Sequence, residues 1–275
     1  MIPKRYSAAL AGALGNTLEW FDFAVYGYFA TSLGKVFFPS DDPGFQTVAS
    51  FGIFAIGYLA RPIGSLVLGP VGDLLGRKKM MTTSIIIMGL ASFLVALLPT
   101  YAQVGALAAY ALMLLRMTQG FSVGGEYTGS MVYATEASPV GKEGLMSGIA
   151  HAGALLGFFL GSLVAALTAY FFGEENVNDW AWRMPFLLGA LVAIAGWRLR
   201  THMPETFEDA IEHKISSAEL SGLILSRLKE VIKNWRTLGR IAAIISFSNV
   251  LFYVEFVYFV DYVAKHDGSM QSANT

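Results

Sequence analysis

The chain contains no cysteine, which excludes disulfides, thiol catalysis and thiolate metal sites. Charge is also scarce. Only 14% of the 275 residues are Asp, Glu, Lys or Arg, against 55% hydrophobic residues, a balance too apolar for a water-soluble globular domain. The mean hydropathy of +0.53 agrees, and the composition points to a polytopic membrane protein. No nucleophile–base–orienter set, metal cluster or nucleotide-binding loop is visible, so the sequence does not read as an enzyme and implies no cofactor. The basic run Arg77-Lys78-Lys79 is too short and too close to the membrane to suggest a nucleic-acid partner.

A membrane-crossing helix needs about 20 mostly apolar residues. Seven stretches meet that need, at about 7–33, 45–68, 80–98, 104–134, 145–171, 184–199 and 238–263, with a polar segment at 201–236 before the last. The basic start Lys4-Arg5 precedes an apolar run too long for a signal peptide and interrupted by Glu19 and Asp22, so it is expected to be an uncleaved first span. If the spans alternate, Lys4, Arg5, Arg77, Lys78, Lys79, Lys142, Arg198 and Arg200 all fall on one side, which the positive-inside rule makes cytoplasmic. The opposite loops carry Asp41, Asp42, Glu174, Glu175 and Asp179. The expected organisation is a bundle of six transmembrane helices at 1–200, a cytoplasmic linker at 201–237, a seventh transmembrane helix at 238–264 and a tail at 265–275, with the N-terminus cytoplasmic.

The first span holds Gly15-Asn16-Thr17-Leu18-Glu19-Trp20-Phe21-Asp22-Phe23-Ala24-Val25-Tyr26. An ionised carboxylate inside a bilayer is costly, and it marks a functional site when a partner can be named. At 100° per residue Glu19, Asp22 and Tyr26 share one face, which must look into the bundle or a watery cavity. On the fourth span Arg116, Gln119, Val123, Glu126, Tyr127 and Ser130 also share a face. Counted at 1.5 Å per residue, Asp22 lies about 22 Å from the cytoplasmic start of its span and Arg116 about 18 Å from the outer start of its own, so the two can meet near mid-depth.

An acid beside a permanently charged guanidinium ionises easily, whereas burial without that partner favours the proton. An acid whose partner can be drawn away therefore exchanges protons with conformation. Asp22, Glu19, Glu126 and Arg116 are the candidate proton-coupling residues. Other readings are open: a permanent Asp22–Arg116 pair that fixes helix register, and a Glu126 hydrogen-bonded to neighbouring helices. His151 reads as a packed residue or a relay. Arg116 could also bind a substrate carboxylate, with Trp20, Tyr26, Gln119 and Tyr127 completing a site in which aromatic faces receive a quaternary ammonium group. Core packing is the alternative role for those aromatics. The stripes Gly120-x-x-x-Gly124 and Gly153-x-x-x-Gly157-x-x-x-Gly161 read as close helix packing.

Between the second and third spans lies Gly69-Pro-Val-Gly72-Asp73-Leu-Leu-Gly76-Arg77-Lys78-Lys79, whose glycines permit a tight turn. This resembles the signature loop of the major facilitator superfamily. The resemblance makes Gly72, Asp73, Gly76 and Arg77, with Glu136 at the base of span four, a cytoplasmic gate that latches two halves of a transporter. Glu19-Trp-Phe-Asp22, Arg61-Pro62, the stretch from Arg116 to Tyr127, and Trp182-Arg183-Met-Pro185-Phe186 are similar to the metabolite:proton symporter family, and Leu33-Gly-Lys-Val-Phe-Phe-Pro39 most resembles its proline/betaine branch. One departure is Lys142-Glu143-Gly144, where the family usually has two basic residues before the glycine.

The resemblance implies an all-α fold with twelve spans in two halves, a bacterial inner-membrane location, and symport of a proton with a small zwitterionic osmolyte such as proline or betaine by alternating access. Organic acids are the alternative substrates, and a non-transporting sensor or decayed transporter is the alternative of another class. The implied partners are the small-molecule substrate, the lipid bilayer and a missing C-terminal half, since the chain reaches only just past a seventh span and reads as a truncated portion.

Overall fold

The computed structural model describes residues 4–201, 221–222, 225–226, 229–230 and 232–253, and of residues 4–8 only the backbone. All regular structure among them is helical. In chain order the helices are α1 (Lys4–Tyr28), α2 (Ala30–Phe37), α3 (Pro43–Leu75), α4 (Arg77–Leu97), a single turn α5 (Tyr101–Val104), α6 (Ala106–Glu136), α7 (Glu143–Asn176) continued by a π turn at Val177–Ala181, α8 (Arg183–Thr201), and α9 (Trp235–Tyr253).

Two compact units result. The first covers Met1–Leu220 and the second Ser221–Thr275. Of the second, α9 is the long described element and its described side chains are exposed; the remainder of the seventh span expected there, and most of the linker, lie outside the described residues.

Helix boundaries follow local chemistry. The expected first span divides at Phe29, leaving α2 as a separate amphipathic segment with Ala30, Leu33, Gly34 and Phe37 turned inward. Asp42 caps α3 by accepting from the Gly44 N–H at 2.8 Å, with Pro43 at the first helical position, where its missing donor is not needed. At 33 residues α3 is about 50 Å long, more than a bilayer core, and it carries Pro62 and Pro70 within it. It stops at Gly76, whose φ of 95° lies in the region that a side chain disfavours; the turn expected at this glycine is where α3 gives way to α4.

Among the described residues, four helical segments are long and apolar enough to cross a membrane: Pro43–Gly72, Arg77–Leu97, Ala106–Glu136 and Glu143–Ala181. Large apolar side chains such as Leu59, Ile63, Leu90, Phe159 and Leu191 stand exposed on the outside of the bundle. In water that surface would be a liability, but in lipid it matches its solvent. This is a multi-pass membrane protein.

Packing is pairwise. α1 lies chiefly against α7, α3 against α6, and α4 against α8 and α6. The glycine stripes explain two of these pairings. A Cβ on Gly153, Gly157 or Gly161 would run into Ala13, Thr17 or Ala24 of α1, and one on Gly120 or Gly124 would run into the backbone of Gly57 or Arg61 of α3. Without side chains there, the helix backbones close on each other. Thr17 adds a hydrogen bond across the first contact, donating to the Gly153 carbonyl at 3.0 Å. An aromatic core of Phe21, Tyr26, Phe29, Phe37, Trp182 and Phe186 closes one end of the bundle.

Candidate functional site

Among the described residues, three ion pairs lie within the bundle, each tying together two different helices. Asp22 of α1 and Arg116 of α6 form the first, with Nη1 donating to Oδ2 at 2.7 Å and both side chains at most 1% exposed. The same Nη1 donates to Gln119 Oε1 at 2.8 Å. Ser92 of α4 donates to Asp22 Oδ1 at 2.6 Å, and Gln119 Nε2 donates to that oxygen at 3.1 Å and to Ser92 at 2.9 Å. Both carboxylate oxygens are therefore hydrogen-bonded, which offsets much of the desolvation a buried acid suffers. The Arg116 guanidinium carbon also lies 4.2 Å from the Tyr26 ring centroid and 4.8 Å from that of Phe23.

The second pair is built differently. Glu19 is completely buried, and its Oε1 lies 3.2 Å from Nη1 of Arg61 on α3, whose side chain is 19% exposed. Neither Glu19 oxygen has a hydrogen-bond partner among the described residues, and Arg61 Nε and Nη2 are likewise buried and unpaired. Charge alone holds this pair. Phe23 and Tyr58 each place a ring centroid 4.2 Å from the Arg61 guanidinium carbon.

The third pair joins Glu126 of α6 to Arg200 of α8 at 2.5 Å, both 1% exposed, with Arg200 also donating to the Met81 carbonyl of α4. The sequence reading places Arg200 among the loop charges; the structure turns it inward, because Glu126 inside the bundle needs a counter-ion. Gly15 makes room for this contact, since a Cβ there would strike Arg200 and Glu126.

The residues expected to meet a substrate separate into two groups. Arg116, Gln119 and Tyr26 are fully enclosed, and Tyr26 donates to the Ser50 carbonyl at 3.1 Å. They form the lining of the Asp22 pocket and no open surface. Trp20 and Tyr127 are only partly buried, sit edge to face with centroids 6.4 Å apart, and Tyr127 shares a hydrogen bond of 2.8 Å with the exposed His151. At the turn between α3 and α4, Arg77 donates to Glu136 at the end of α6 at 3.1 Å, with both partly exposed; the Asp73 side chain lies outside the described residues. Sequence reasoning passed over Arg61, Ser92 and Arg200 as site residues. Arg61 was findable, being a permanent charge inside the second predicted span.

Fold and site define a polytopic helical membrane protein whose charges are paired inside a bundle of six long helices. The profile of the "Sugar (and other) transporter" family matches residues 8–220. The chain belongs to this family, within the major facilitator superfamily. It is 39% identical over 269 residues to the proline/betaine transporter of Salmonella typhimurium, covering 96% of this chain and 54% of the relative. It is 38% identical to the glycine betaine/proline/ectoine/pipecolic acid transporter of Dickeya dadantii, covering 94% of this chain and 52% of the relative. The chain thus spans about half the length of these relatives. Among solved structures it is similar in fold to the xylose transporter XylE of E. coli in a partially occluded inward-open conformation, with a TM-score of 0.69 at 18% identity over 88% of this chain and 62% of that one. The proton:xylose symporter XylE bound to 6-bromo-6-deoxy-D-glucose gives a TM-score of 0.67 at 16% identity, over 97% and 62%.

Proposed function

We propose that this chain forms the proton-coupling half of a symporter that carries a small zwitterionic osmolyte, such as proline or a betaine, together with a proton across a bacterial cytoplasmic membrane. The observation that carries this reading is the enclosed Asp22–Arg116 pair, held by Ser92 and Gln119 from two further positions of the bundle. An acid in that setting is stable when ionised only while its guanidinium is in place. Rocking of one six-helix half against the other is the established way such folds alternate access; a shift of α6 relative to α1 within this half, coupled to that rocking, would separate the pair and leave Asp22 to take a proton. On return, Arg116 expels it.

The relatives' names support the substrate class, and the partly open Trp20 and Tyr127 rings suit a quaternary ammonium group. The Arg77–Glu136 pair would act at the cytoplasmic gate with Asp73. The test is uptake of labelled proline, betaine and citrate into vesicles that hold a form of the protein with both six-helix halves, with and without an inward proton gradient. Gradient-driven accumulation of proline or betaine is expected. Uptake indifferent to the gradient would end the symport reading, and a preference for citrate would transfer the substrate class to organic acids.

A further inference from the structure

The geometry points to Arg61, with Glu19 as its displaceable counter-ion, as the cation that binds the carboxylate of the transported molecule. This deepens the symport reading and rests on it. Arg61 and Arg116 each have an Nε–Nη2 edge with no hydrogen-bond partner among the described residues, the two-donor fork that fits a carboxylate. They differ in access and in the strength of the existing pair. Arg116 is fully enclosed, and its acid is secured by hydrogen bonds from three side chains. Arg61 is partly exposed, and its acid accepts no hydrogen bond from any described residue. The weaker, more open pair is the one that a ligand can exchange.

The surroundings suit the rest of a zwitterion. Trp20, next to Glu19 in sequence, has an unpaired buried indole N–H and stands against Tyr127, while Phe23 and Tyr58 wall the guanidinium. Among the other titratable groups of this side, Glu126 is balanced by Arg200 at 2.5 Å, Asp22 is held by Arg116, and Tyr127 shares a hydrogen bond with His151. Glu126 and Asp22 are thus each held by an arginine of their own, and Glu19 is the acid of this side whose partner can be exchanged. In the exchange, Glu19 accepts one proton, Arg61 stays protonated, and the substrate carboxylate replaces the Glu19 carboxylate as its partner. The site then holds one net positive charge more, that of the proton, and the zwitterion adds none.

The experiment measures binding by calorimetry of glycine betaine, of choline as the same ammonium without the carboxylate, and of acetate, to the 275-residue chain in nanodiscs. The wild type should bind betaine at least about tenfold tighter than choline, and tighter at pH 6 than at pH 8, because a proton on Glu19 frees Arg61. Glu19→Gln should tighten betaine binding at pH 8 about tenfold and flatten that pH dependence, which a merely structural acid would not do. Arg61→Gln should abolish the preference for betaine over choline, and Arg61→Lys should keep part of it, each with helix content unchanged by circular dichroism. If betaine binds and Arg61→Gln retains the preference, Arg61 is not the anchor, and the symport reading survives. If acetate binds with the same dependence on Arg61 and Glu19 while betaine does not, the anchor stands and the osmolyte reading fails. Binding of none of the three probes overturns the anchor.

Discussion

Arg200, in the last turn of α8, reaches Glu126 of α6 at 2.5 Å with both side chains buried, so the last described helix of the first unit is locked to α6 by an ion pair. Removing one member leaves the other charged and unpartnered inside the bundle. Arg200→Met is therefore expected to destabilise the protein by about 3 kcal/mol, and Glu126→Gln combined with it should recover most of that loss. Thermal unfolding in detergent, run as a double-mutant cycle, measures both; equal destabilisation by the double variant would mean the pair is not the source.

Asp22→Asn removes the negative charge opposite Arg116 while keeping the shape of the side chain, and leaves one accepting oxygen where the carboxylate has two. In a form with both halves, accumulation driven by a proton gradient should fall at least about tenfold, while exchange of substrate across the membrane persists in part. Undiminished gradient-driven uptake would remove Asp22 from the coupling step.

The glycines of α7 should respond with opposite signs according to their neighbours. At Gly157 a side chain would collide with the Thr17 backbone, so Gly157→Val should cost about 2 kcal/mol through forced separation of α1 and α7. Gly148 has open space around its would-be Cβ and is exposed, so Gly148→Ala should raise stability by up to about 1 kcal/mol through helix propensity. Melting temperatures of the two variants decide the matter.

Arg77 and Glu136 are both partly exposed, and a pair of that kind contributes less than about 1 kcal/mol to stability. Glu136→Gln should leave the melting temperature nearly unchanged yet slow turnover, since the contact joins the α3–α4 turn to the end of α6 at the proposed gate. Asp73→Ala should likewise slow turnover with little change in substrate affinity. A large affinity loss with normal turnover would make Asp73 a substrate ligand.

Much of this was legible in the sequence for one reason: a bilayer punishes polar groups so heavily that position alone marks them. The apolar runs located helices: α4, α6 and α8 begin and end within about three residues of the stretches expected, while α3 and α7 run further past their expected ends. Helical periodicity put Asp22 and Arg116 on facing sides at matching depth, and the structure brings them to 2.7 Å. The glycine stripes on α6 and α7 announced close packing without saying against what, because a stripe records that a backbone may approach and carries no mark of which one.

Composition, periodicity and the spacing of charges thus determined a multi-pass helical bundle with ionisable groups turned inward. Only the tertiary structure decided how those groups divide among partners. Pairing depends on helix rotation and on neighbours dozens of residues away, which no local pattern encodes. That packing gave Asp22 a hydrogen-bonded pocket, gave Glu126 the arginine at the end of α8, and left Glu19 with an arginine on α3 that charge alone holds.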